Sequence, residues 1–326
     1  MPTDNLWDLA VEQAQKEEDV TSCHKDSTVV FVGSKQGGKT SIIYRFVERA
    51  ENPKPTLALE YLFGRRSRGL DTVKEVCHMW ELGGGTLFTQ LLEIPITMES
   101  LNTLSIVLVL DLSVPEEMWF TMETLLHAVR SEINQVLNSS AAKTVGLKET
   151  LMDLAWKRIG EDHMDKDMID PFPVPLLILG TKYDIFQDLD PEKKKVICRC
   201  LRFVAHTNGA ALQFVSTKVE NLVTKARVVI SHMVFGTPAS YSGNMPLSDE
   251  DPGKSYSRSV DLWKHTFTTH FPQVVNKAAP PDDPAKDPNF KERDVDMIRS
   301  QKDKELEQYR RDLDHKRQDW EALNFM

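Results

Sequence analysis

Thr28-Val29-Val30-Phe31-Val32-Gly33-Ser34-Lys35-Gln36-Gly37-Gly38-Lys39-Thr40 decides the fold. Thr28 to Val32 is apolar throughout and rich in β-branched residues, the composition of a strand buried on both faces. Lys39 to Ala50 then reads as a helix, with Ile42, Ile43, Phe46 and Val47 on one face. Between them, Gly33 to Thr40 fits the P-loop pattern G-x-x-x-x-G-K-S/T, placed after a strand and before a helix as its mechanism requires. Gly33 and Gly38 let backbone N–H groups turn inward around a phosphate, helped by the positive end of the helix. Lys39 would reach the β- and γ-phosphates, and the Thr40 hydroxyl would ligate Mg²⁺. A Gly-rich turn that binds nothing is the competing reading, and the register of strand, loop and helix argues against it.

Outward from the loop, strand-like and helix-like segments alternate. Leu57 to Phe63 and Thr72 to Leu82 read as strands joined by a hairpin at Gly64 to Gly69. Leu104 to Leu112 is apolar on both faces, as in the centre of a parallel sheet. A helix from Pro115 to Leu137 and a polar insertion over 139–170, left unassigned, precede a strand at Leu176 to Gly180. A helix from Pro191 to His206, a strand at Ala211 to Ser216 and a helix from Val219 to Val234 complete the pattern. The fold class is therefore α/β with a mostly parallel central sheet.

The whole chain has 326 residues with 40% hydrophobic side chains, enough to form a core. Its net charge of −9 argues against nucleic acid or an anionic membrane as the main partner. The longest nearly uninterrupted apolar run, Leu104 to Leu112, is far short of the roughly 20 residues that cross a bilayer, so no membrane insertion is expected. The acidic N-terminus has no signal-peptide character, and the cysteines show no zinc-like spacing. A soluble intracellular protein is expected. None of the nine histidines stands in a metal-ligand or catalytic constellation in the sequence.

Four regions follow from these patterns. Residues 1–26 form an N-terminal extension with a short amphipathic helix around Leu6, Trp7, Ala10, Val11 and Ala14, read as folding back on its own core. Residues 27–236 form the α/β domain. Residues 237–288 are a flexible linker with a short aromatic helix, whose Trp263, Phe267 and Phe271 read as intramolecular packing. Residues 289–326 are a charged helix in which Leu306, Leu313 and Trp320 recur every seven residues with Tyr309 and Leu323 between them, open equally to solvent and to a partner. Arg65, Arg66 and Arg68 read as solvated or as touching an acidic partner.

Further motifs resemble those of Ras-like G proteins. Pro55-Thr56-Leu57 resembles the first switch segment, whose threonine contacts Mg²⁺ and the γ-phosphate. Glu81-Leu82-Gly83-Gly84 occupies the place of D-x-x-G, Thr181-Lys182-Tyr183-Asp184 that of N-K-x-D, and Ser216-Thr217-Lys218 that of S-A-K. Their order implies a Ras-like P-loop G domain. On that resemblance Gly33, Gly38, Lys39, Thr40, Thr56, Gly84, Lys182, Asp184, Ser216 and Lys218 would hold GTP or GDP, and Thr40, Thr56 and Glu81 would hold Mg²⁺. An empty site is the other expectation. Asp184 is open to a second reading, a capped loop carboxylate.

The departures from that pattern bear on activity. Glu81 stands where Asp holds Mg²⁺ through water, and its extra methylene moves the carboxylate. Gly85 stands where these enzymes place the glutamine that orients water, so hydrolysis should be weak or absent. Thr181 replaces an asparagine whose amide braces the base. No residue is assigned a catalytic role.

Lys54 to Tyr61 and Trp80 to Gly85, together with the P-loop, are similar to the dynein light intermediate chain family. Ile94 to Thr97, Val107 to Ser113, Asp170 to Pro175, Lys182 to Asp188, Leu201 to His206 and Lys302 to Tyr309 resemble its cytoplasmic dynein 2 branch, the motor of retrograde transport in cilia. The resemblance implies a non-catalytic subunit that binds and stabilises the dynein 2 heavy-chain tail. It also implies contact with the other dynein 2 intermediate and light chains, an indirect link to intraflagellar transport trains, and residence in cytoplasm, cilium, ciliary base and cytoskeleton. An autonomous small GTPase switch in membrane or ciliary trafficking is the alternative, and Asp184 disfavours a P-loop ATPase or kinase.

Overall fold

Strand β1 (Ser27–Gly33) is buried along its whole length and divides its side chains between two cores. Val30 and Val32 point into one, Val29 and Phe31 into the other. Strands β4 (Leu104–Asp111) and β5 (Leu176–Thr181) do the same. Ile106, Leu108, Leu110 and Ile178 share the first core, and Val107, Val109, Leu177 and Leu179 the second. Continuous apolar runs are thus required here, because helices cover both faces.

The structure, a computed structural model, describes residues 26–66, 75–139, 146–160, 163–236, 256–274 and 287–324. It divides into two units, Met1–Ala279 and Pro280–Met326. In the first, β2 (Leu59–Arg66), β3 (Glu75–Leu82) and β6 (Ala211–Phe214) join the other strands in a six-stranded sheet of order β2-β3-β1-β4-β5-β6. Edge strand β2 runs antiparallel to β3, and all other pairs are parallel. Helices α1 (Lys39–Phe46), α2 (Pro115–Leu137), α3 (Leu147–Ile159), α4 (Tyr183–Phe186), α5 (Pro191–Thr207), α6 (Glu220–Phe235) and α7 (Tyr256–His270) complete this unit. Helix α1 and helix α6 cover the second core, while α2, α3, α5 and α7 cover the first. Helix α5 starts where its sequence signals a start: Pro191 occupies the first turn and the Asp190 carboxylate accepts from Glu192 N at 3.0 Å.

Several boundaries differ from the sequence expectation. Helix α1 stops at Phe46 instead of Ala50, because Glu48 turns to a φ of 58°. Strand β6 ends at Phe214, leaving Ser216 in the following loop. The polar insertion contains α3, which buries Leu147, Leu151 and Ala155. The amphipathic segment around Leu6 to Ala14 and the hairpin turn over 67–74 lie outside the described residues.

Helix α7 packs on the α/β layers. Phe267 is fully buried against Trp119 of α2, their rings 5.5 Å apart, and Trp263 meets Phe203 of α5 at 5.8 Å. Beyond the helix, the Gln273 amide enters the first turn of α2. It accepts from Trp119 N at 3.0 Å and Phe120 N at 3.2 Å, and donates to the Pro115 carbonyl at 3.1 Å. Gln273 thereby bonds both an acceptor and two donors of the first turns of α2, and beside it Val274 N donates to the Glu116 carbonyl at 2.9 Å.

The second unit carries α8 (Arg293–Asn324), on which Leu306, Tyr309 and Leu313 are exposed. The side chains of Trp320 and Leu323 are outside the described set. No helix among the described residues is long and apolar enough to cross a membrane. Replacing Phe267 by Ala should lower unfolding free energy by about 3–5 kcal/mol, measured by denaturant titration. A loss below about 1 kcal/mol would show that α7 contributes little to the core.

Candidate functional site

The P-loop leaves β1 by pressing against β4. Gly33 has a φ of 150°, and a Cβ there would lie 1.9 Å from the Val109 carbonyl oxygen. Ser34 N donates to that same carbonyl at 2.9 Å, and Asp111 N donates to Ser34 Oγ at 3.2 Å. At the start of α1, Gly38 takes a φ of 86° in open space, with nothing within 4 Å of a would-be Cβ. A left-handed glycine there keeps the loop concave at the helix N-terminus. Lys39 is buried and donates to the carbonyls of Gly33 at 3.2 Å and Ser34 at 2.9 Å. Burial lowers its pKa, and the nearby Glu81 carboxylate opposes that.

Beside Lys39 lies a cluster of side-chain oxygens. Thr40 Oγ1 donates to Glu81 Oε1 at 2.9 Å and lies 3.4 Å from Thr56 Oγ1, which donates to Glu60 Oε2 at 3.1 Å. Register pairs Glu60 with Glu81 across β2 and β3. Glu81 is 2% exposed, and its second oxygen, Oε2, is buried without a hydrogen-bond partner. Burial pushes the Glu81 pKa up, while Lys39, Thr40 and Thr56 pull it down and Glu60 adds to the rise. A buried, half-satisfied carboxylate flanked by threonine hydroxyls fits the oxygen donors that Mg²⁺ takes. Thr40, Thr56 and Glu81 lie together, and Glu60, which sequence reasoning missed, stands beside them.

The base side is more fully occupied by protein contacts. Lys182, in the left-handed region at φ 54°, forms an ion pair with the buried Asp111 carboxylate. Asp111 also accepts from Ser113 N at 2.9 Å. Thr181 directs its hydroxyl at the Gly37 carbonyl, 2.8 Å away, and at the Leu110 carbonyl, 3.0 Å away, so it ties the P-loop to β4 despite lacking an amide. Asp184 accepts from Ser216 Oγ at 2.7 Å through one oxygen and pairs with Lys218 Nζ at 2.6 Å through the other. Lys218 and then Ser216 hold its pKa below the usual carboxylate range. The capped-carboxylate reading of Asp184 describes this arrangement, in which a guanine would have to share Asp184 with those partners.

Past β3 the backbone makes a tight turn. Gly84 and Gly85 both have a φ of 68°, and a Cβ on Gly83 would come within 2.6 Å of the Thr56 carbonyl oxygen. Gly85 approaches the P-loop, where a Cβ would sit 3.4 Å from Lys35 N. A glutamine at Gly85 would therefore be strained as well as absent.

Strand order and P-loop define a Ras-like P-loop protein. The comparisons narrow that class. The profile of the dynein light intermediate chain family matches residues 2–158. Cytoplasmic dynein 2 light intermediate chain 1 of Bos taurus is 46% identical over 340 residues, covering 95% of this chain and 96% of the relative. Its Homo sapiens counterpart is 43% identical over 340 residues, with the same coverage of 95% and 96%. The crystal structure of a dynein light intermediate chain's conserved domain superposes with a TM-score of 0.52 at 15% identity, over 80% of this chain and 94% of that one. That structural likeness shows the fold alone. The chain belongs to the dynein light intermediate chain family.

Glu81 and Asp184 give opposite pH dependences. Glu81, with a raised folded pKa, costs stability as pH climbs from the ordinary glutamate range through its folded value. Asp184, with a depressed one, contributes stability above the ordinary aspartate range, lost as pH falls through its folded value. In nucleotide-free protein, Glu81→Gln should remove the decline above the glutamate range and leave the acid limb in place, followed by thermal unfolding across pH. An unchanged decline would show that Glu81 is not its source.

Proposed function

We propose that this chain is a structural subunit of a dynein 2 motor, whose P-loop holds GTP or GDP with Mg²⁺ as a stabilising ligand without turning it over. Similarity to dynein 2 light intermediate chains along 95% of the chain carries the reading. The site supports it. Gly33 and Gly38 shape the loop for phosphate, Lys39 adds positive charge, and Thr40, Thr56 and Glu81 offer oxygens to a cation. Bound nucleotide would supply a polyanion that neutralises Lys39 and ties the loop to the switch segment. Gly85 has no side chain to orient water, and its left-handed backbone disfavours one that could. A ligand bound only to the folded state stabilises it by mass action, with no need of hydrolysis.

In this role the subunit binds and stabilises the heavy-chain tail, alongside the other intermediate and light chains of the motor. Through them it joins intraflagellar transport trains in the cytoplasm and cilium. ATP hydrolysis by the motor lies outside this chain. The preserved P-loop geometry keeps one other reading open, an autonomous GTPase switch.

Natively purified protein should carry unhydrolysed GTP, or GDP that single-turnover assays show was captured and not made. Hydrolysis at the rate of ordinary G proteins would overturn the scaffold reading in favour of the switch. Lys39→Ala, if folded by circular dichroism, should still co-purify with the heavy-chain tail at wild-type yield. Loss of that assembly in a folded variant would make the nucleotide obligatory and refute a purely stabilising role.

A further inference from the structure

We propose that His163, Asp165 and His206 form a binding site for one divalent transition-metal ion of the zinc type, separate from the P-loop. Nothing in the sequence joins these residues, since His206 lies 41 positions beyond Asp165. Folding brings one donor atom from each to within 4.8 Å of the other two. His206 Nε2 lies 2.9 Å from Asp165 Oδ2, Asp165 N donates to His163 Nδ1 at 3.1 Å, and the two imidazole rings are 5.2 Å apart.

The supports differ in stiffness, which suits capture of an ion. His206 stands in the last turn of α5 with its side chain 8% exposed, so it is anchored by the core. His163 and Asp165 lie on a run of single turns, closed by His163 N to the Gly160 carbonyl at 3.2 Å and Lys166 N to the His163 carbonyl at 3.2 Å. Bonds of about 2.0–2.1 Å to a tetrahedral ion place donors roughly 3.3 Å apart, so from separations of up to 4.8 Å the turn has to draw in by roughly 1.5 Å at most. That is within reach of side-chain rotation on such a turn. Two imidazoles and a carboxylate favour Zn²⁺, Co²⁺ or Ni²⁺ over Mg²⁺ and Ca²⁺, which prefer all-oxygen sets. Three protein donors leave a fourth position to water.

Chain topology sets the site apart. His206 closes α5 just before β6 begins, and His163 and Asp165 precede β5, so the cluster lies at the sheet edge opposite the strand ends that carry the P-loop. Arg130 pairs with Asp170 at 2.7 Å, and Asp170 N donates to the Thr207 carbonyl at 2.8 Å, seating the same corner. An ion would staple the turn at 163–165 to the end of α5, acting as a structural tie.

The test uses tag-free full-length protein stripped with chelator, then titrated calorimetrically with Zn²⁺. The expected result is one equivalent bound, with a tetrahedral absorption spectrum when Co²⁺ replaces it. His163→Ala and Asp165→Asn should each weaken Zn²⁺ binding at least tenfold, whereas His265→Ala on the exposed face of α7 should not. Both positions are partly exposed on a turn, and circular dichroism verifies that the variants fold. Absence of stoichiometric Zn²⁺ binding, or full affinity in both variants, would overturn the proposal and leave a hydrogen-bonded cluster that only holds the turn in place.

Discussion

The close approach of Gly33 to the backbone of β4 is the constraint on which the site depends. No side chain fits between the loop and Val109, so the chain leaves β1 in one direction only. From that point the hydroxyl of Ser34 and the hydroxyl of Thr181 hold the loop to the ends of β4 and β5. These contacts all use the protein's own groups.

Electrostatics at the site follow from burial. Lys39 and Glu81 are both taken out of water, and each moderates the pKa shift that burial imposes on the other. Such a pair is weak evidence for stability, because desolvation offsets much of the attraction. A phosphate beside Lys39 and a cation beside Glu81 would relieve both groups. Asp184, by contrast, is already satisfied by Ser216 and Lys218. Burial thus leaves Lys39 and Glu81 less fully compensated than Asp184.

Helix α7 extends the α/β unit beyond its last sheet-covering helix. Phe267 packs against Trp119, and Gln273 hydrogen-bonds backbone groups in the first turns of α2. The aromatic stripe was legible as an amphipathic pattern, since Trp263, Phe267 and Phe271 share one face. Its destination was not, because a stripe of this kind carries no record of what covers it. The exposed Leu306, Tyr309 and Leu313 of α8 show the converse, a similar pattern with no cover among the described residues of its own unit.

By itself the sequence determined the strand, loop and helix around Lys39, the layered α/β order and the positions of Thr40, Glu81, Thr181 and Asp184. Hydrophobic period and glycine placement are local, and they survive in the linear string. Tertiary structure alone decided that Lys182 would meet Asp111, 71 residues away, and that Gln273 would cap Pro115, 158 residues away. It likewise made a cluster of His163, Asp165 and His206, histidines that had no role in the linear reading. Polar contacts at such separations have no period to betray them. They exist only once the apolar core has folded and brought two distant segments into hydrogen-bonding range.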